Sequence, residues 1–148
     1  MNGVILLVVG VATCPPVGAV VTGVFPGCEA HAAKVGLSGV VRVGRVSNVD
    51  LDGSQAKGRM VPTPRRIKYV APSRVMGSRP LRCPAVWVGE VILNHDGSVA
   101  GAWPLSDLPE DTQRNEAVRA AVSQWRYEPT LVHGRPVPVC MTVTETVK

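Results

Sequence analysis

The C-terminal half of this chain predicts an α+β domain with the element order β-β-α-β. Three observations carry that prediction. Two β-rich runs flank an Asp-Gly turn signal, an amphipathic stripe follows, and an alternating run closes the sequence.

The first strand is expected over residues 86–94 (VWVGEVILN), with His95-Asp96-Gly97-Ser98 as the turn. Residues 99–105 (VAGAWPL) return as the second strand of a hairpin, and Pro104 marks that strand as an edge. Ser106, Asp107 and Pro109 suit a helix start. Residues 111–125 then place Val118, Ala121, Val122 and Trp125 on one helical stripe, with Glu110 and Asp111 in the first turn and Arg126 at the end, as the helix dipole favours. Glu128-Pro129 terminates that helix and His133-Gly134 makes a turn. Residues 137–147 alternate as the last strand. Val137, Val139, Met141, Val143 and Glu145 share one face, and Pro138, Cys140, Thr142, Thr144 and Thr146 share the other.

Ahead of this domain the punctuation is looser. Residues 33–61 are rich in Gly, Val and Ser and read as a linker, with a short strand expected at residues 40–46. Residues 1–32 contain two apolar runs, 4–13 and 17–25, separated by Cys14-Pro15-Pro16. A secretory signal, a membrane anchor and a buried segment all remain open there. The first run is too short to span a bilayer alone, no basic residue precedes it, and Val17-Gly18-Ala19 and Ala30-His31-Ala32 are acceptable small-residue patterns for cleavage.

The 148 residues carry 16 basic and 11 acidic side chains, a net charge of +5. The excess belongs to residues 59–82, where Arg59, Arg65, Arg66, Lys68, Arg74, Arg79 and Arg82 meet no acid. With Tyr69 as its one aromatic and no RNA-binding motif, this run is expected to be a solvated lead-in to the domain, and nucleic acid is not expected as a partner. Gly (15) and Pro (13) are abundant but follow no period, which excludes collagen.

Chemistry-bearing residues are sparse. His95 and Asp96, with Glu90 nearby on the first strand, could suggest acid–base catalysis, but turn geometry explains His95 and Asp96 better. Ser98 and Ser123 lack a nucleophile-elbow context, so no catalytic residue and no enzyme is expected. Cys14, Cys28, Cys83 and Cys140 form no CxxC pair, so neither metal nor cofactor is expected. With residues 1–32 removed only Cys83 and Cys140 survive. An antiparallel last strand sets Cys140 opposite the region of Val91 and leaves Cys83 at the other end of the sheet, so two unpaired thiols are expected. Trp125 is expected as a core anchor, and Trp87 and Trp103 are expected to pack across the hairpin.

The ordered set of blocks resembles the C-terminal domain of TonB-like energy transducers. It consists of residues 64–72 (PRRIKYVAP), 89–99 (GEVILNHDGSV), 121–130 (AVSQWRYEPT) and 134–139 (GRPVPV), and spans about residues 62–147. The resemblance implies a three-stranded antiparallel sheet with helix packed on one face. It also implies a periplasmic or cell-envelope location, exported or anchored in the inner membrane. In such domains the last strand is an exposed edge that pairs with an extended peptide of an outer-membrane receptor, in energy-dependent transport. Here the implied partner-binding edge is Arg135, Val137, Val139, Cys140, Met141, Thr142, Val143 and Thr144, and Val139→Pro is expected to weaken binding. Inner-membrane motor proteins are further implied partners, and a dimer stays open. Residues 73–84 (SRVMGSRPLRCP) depart from the family's first helix, and residues 1–28 lack the long apolar helix of a motor-coupled protein. The second reading is therefore a stand-alone envelope interaction module without energy coupling.

Overall fold

Two apolar runs make the centre of the sheet. The strands β3 (Ala85–Leu93) and β8 (Val139–Val147) pair antiparallel without interruption, from Ala85 opposite Val147 to Leu93 opposite Val139. The computed structural model describes residues 14, 27–43, 61–77, 80–106 and 112–147. In chain order their elements are α1 (Cys28–Lys34), β1 (Val41–Arg42), β2 (Arg66–Lys68), β3, β4 (Val99–Ser106), α2 (Thr112–Val122), β5 (Arg126–Tyr127), β6 (Thr130–Val132), β7 (Arg135–Val137) and β8.

The hairpin of β3 and β4 turns at His95–Asp96, where Gly97 takes φ 83° and Asp96 Oδ1 accepts from the Ser98 N–H and hydroxyl. As Pro104 indicated, β4 is an edge strand among the described residues. The helix α2 buries Val118, Ala121 and Val122 against the sheet. It ends at Val122, ahead of the expected terminator, because Arg126–Tyr127 leave the helix to pair with β2. Trp125 is completely buried and its indole N–H donates to the Val70 carbonyl at 2.8 Å. His133 (φ 50°) and Gly134 (φ 73°) form the two-residue turn between β6 and β7, whose positive φ at both positions matches the twist of a hairpin.

The α+β class holds, with a correction to the sheet. Among the described residues the main sheet has four strands in the order β1-β8-β3-β4, and there are two small ribbons besides, β2-β5 and β6-β7. The fourth strand comes from the run at residues 40–46. Val41 and Arg42 lie parallel to β8, opposite Val139 and Cys140, because the second edge of β8 offers them unpaired backbone groups. Residues 28–34, which straddle the expected boundary at residue 32 between the N-terminal segment and the linker, form α1 on the sheet face opposite α2.

The two faces have separate cores. Trp87, Val91, Leu93, Ala102, Met141 and Val143 pack with Val118, Val122, Trp125 and Tyr127 on the α2 side. Ile92, Cys140 and Cys28 form a smaller cluster with Trp103 on the α1 side. The two hairpin tryptophans therefore lie on opposite faces and do not pack across the hairpin. Each ring instead lies over a glycine of its own strand, Trp87 over Gly89 and Trp103 over Gly101.

The basic lead-in is part of the fold. Residues 66–68 are β2, Arg65 pairs with Glu128, and the Arg66 guanidinium stands 4.7 Å above the Tyr69 ring and 4.3 Å above the Trp125 ring. Residues 73–77 and 80–84 hold no helix. The apolar runs at 4–13 and 17–25 and the helix-start residues Asp107, Pro109, Glu110 and Asp111 lie outside the described residues. Among the described residues no helix is long and apolar enough to cross a membrane.

Candidate functional site

Hydrogen-bond parity along β8 defines its outer edge. The Val41 N–H donates to the Pro138 carbonyl and the Val43 N–H to the Cys140 carbonyl, both at 3.0 Å. Even-numbered residues of β8 thus turn their backbone groups toward β1, and antiparallel alternation turns the odd-numbered ones toward β3. The register with β1 stops at Cys140. Beyond it, the outward N–H and C=O groups of Thr142, Thr144 and Thr146 face no strand among the described residues.

The predicted edge residues fall into three groups on this frame. Arg135 and Val137 belong to β7 and pair with Val132 and Thr130, so they are not on the outer edge of β8. Val139 and Cys140 are on it but covered by β1. Met141, Thr142, Val143 and Thr144 lie where it is uncovered, with both threonine side chains exposed and Met141 and Val143 buried toward α2. Val139 donates its N–H into the pairing with β3, so Val139→Pro breaks the sheet rather than removing an outward donor.

At its C-terminal end the uncovered edge meets a groove of about 590 Å³ lined by the 72–77 and 80–81 loop, by Arg114, Ala117 and Val118 of α2, and by Thr146 and Val147. Tyr69 donates its hydroxyl proton to Glu145, which raises the phenol pKa, with burial adding to the effect.

The other face carries groups that the sequence did not single out as a cluster. His31 of α1 and Glu90 of β3 are both buried, with Nδ1 2.6 Å from Oε1. Arg42 Nη2 lies 3.9 Å from the second Glu90 oxygen, and the Trp103 ring stacks on His31 at 4.2 Å. Next to them Cys28 is bonded to Cys140, and a second disulfide joins Cys14 to Cys83. The expectation of two unpaired thiols is therefore overturned. Cys83 and Cys140 are indeed too far apart to bond each other, Cys140 lying opposite Ile92, but each takes a partner from the first 28 residues. The even cysteine count and a glutamate inside an apolar strand were the available signals.

Ligand atoms of Cys28, Glu90 and Cys140 lie within 4.8 Å of one another. With the two sulfurs bonded to each other they offer no thiolate, so the cluster holds no complete cation site in this state. His95 and Asp96 are exposed at the hairpin tip, and Ser98 holds the Asp96 carboxyl below the usual carboxylate range through its two hydrogen bonds. No protein-family model matches this chain, and a search of curated proteins likewise finds no match.

Proposed function

We propose that this protein binds an extended peptide by strand addition to the outer edge of β8, in the manner of a TonB-like periplasmic domain that engages an outer-membrane receptor. The observation that carries the reading is the run of outward backbone groups at Thr142, Thr144 and Thr146, which no strand satisfies among the described residues. Such groups supply affinity through main-chain hydrogen bonds, and the neighbouring groove supplies side-chain selection.

A second reading drops the energy coupling. Cys14 is bonded to Cys83 and residues 28–43 pack on the sheet, so little chain is left as a spacer between the apolar segment and the domain. That favours an envelope interaction module over a force-transmitting arm.

Titration of the isotope-labelled protein with extended peptides from outer-membrane receptors, followed by amide NMR, tests the binding. Shifts should concentrate at residues 142–146 and vanish in Thr144→Pro, which removes an outward donor without touching β3. Shifts confined to β4, with residues 142–146 unmoved, would place the binding surface elsewhere. A requirement for the proton-motive force in cells separates the two readings.

A further inference from the structure

We infer that residues 28–43 are an internal occupant of the same docking edge, and that the Cys28–Cys140 disulfide decides whether the covered portion, Pro138 to Cys140, is open to an extended peptide. This rests on the strand-addition reading above and names its regulation.

The covering segment is weak by itself. A strand of two residues and a helix of seven are both too short to persist without tertiary support. Their order therefore depends on a few anchors. These are the disulfide, the buried His31–Glu90 pair, the stacking of His31 on Trp103, and the two backbone bonds from Val41 and Val43 to Pro138 and Cys140. The disulfide is the covalent one, and it joins the covering segment to the very residue whose carbonyl accepts from Val43, the residue just after β1. While it is intact, the covering strand stays tethered beside the edge at a high effective concentration that a free peptide must exceed.

Reduction changes that competition. A thiolate of a dithiol reductant attacks one sulfur of the cystine, the other leaves as a thiolate and takes up a proton, and the second thiol of the reductant resolves the mixed disulfide. Two electrons and two protons pass to Cys28 and Cys140, and the reductant leaves as its disulfide. The covering segment then holds the edge by non-covalent contacts alone, and an extended peptide that displaces β1 gains the outward groups of Pro138 and Cys140 in addition to those of residues 142–146. Cys14–Cys83 ties a different part of the chain to the start of β3 and provides the internal control.

The probe is a synthetic peptide of residues 38–46, whose own sequence contains the covering strand. It is titrated into the full chain, into Cys28→Ser/Cys140→Ser and into Cys14→Ser/Cys83→Ser. The first double variant should bind it at least about tenfold more tightly than the parent, with amide shifts at residues 140–142, and the second should match the parent. Equal affinity for all three chains overturns the proposal. Hydrogen exchange of the Val41 and Val43 amides in the parent before and after phosphine treatment tests it without substitution. Faster exchange at these two amides, with the β3–β8 amides unchanged, supports the covalent clasp, and unchanged exchange defeats it. Because neither measurement uses a receptor peptide, the clasp can stand where receptor binding fails, and the reverse.

Discussion

His31 Nδ1 lies 2.6 Å from Glu90 Oε1, and both side chains are almost completely shielded from water. Their 59-residue separation makes this contact a joint between the N-terminal segment and the central strand. Removing one partner of a buried pair strands the other. His31→Ala should therefore destabilise the protein by about 3 kcal/mol, whereas the double change His31→Leu/Glu90→Leu should recover most of that loss. Urea denaturation of the three chains checks it, and equal midpoints for parent and His31→Ala would show that the pair contributes nothing.

Gly97 has φ 83°, and a Cβ there would sit 1.9 Å from the Tyr127 carbonyl oxygen. Gly97→Ala combines backbone strain with a clash against main chain and should cost about 3 kcal/mol. Gly77 has a similar φ of 74° but open space around it, so Gly77→Ala should cost only about 1 kcal/mol. Thermal unfolding of the two variants separates strain from collision.

Trp125 ties the helix end to β2 and the residues just after it, through its bond to Val70 and the Arg66 guanidinium above its ring. Trp125→Phe leaves the Val70 carbonyl without its donor and opens space in the core, a loss of about 2 kcal/mol. Amides of β2 should exchange faster in this variant while those of β4 do not, which native-state hydrogen exchange reads directly.

Asp96 is held below its usual range by the Ser98 hydroxyl first and the Ser98 N–H second. Its unfolded state takes up a proton before the folded state does as pH falls. The contribution is therefore full above about pH 3.9 and lost as pH drops through the lowered folded value. Glu128, lowered mainly by its bond to Arg65, acts in the same direction. Below about pH 4 the parent should lose more stability than Asp96→Asn, and parallel curves in paired urea titrations would contradict this.

The backbone parity of β8 gives opposite effects to two proline substitutions five residues apart. Val139→Pro removes a donor to β3 and should cost about 3 kcal/mol or more, while Thr144→Pro should leave unfolding nearly unchanged. Guanidinium denaturation of both variants checks the assignment of inner and outer donors.

Local chemistry made much of this molecule legible from its residues. The Asp96-Gly97 hairpin, the Val118–Val122 stripe and the His133-Gly134 turn depend on neighbours within a few positions and appear where those neighbours put them, while the strand expected over residues 137–147 begins at Val139 because Val137 pairs with Thr130 in β7. What followed from contacts across long separations did not. Cys28 finds Cys140 across 112 residues, and Val41 finds Val139 only because β8 has a second edge to fill. Glu90 is an acid within the first hairpin strand by sequence and a buried joint in the fold, since nothing within its own strand announces that His31 will cover it. Periodicity records which face of an element is apolar, and it carries no information about which distant segment will come to lie on that face or along that edge. The four-stranded sheet, both disulfides and the partly covered outer edge of β8 were therefore decided by tertiary structure alone.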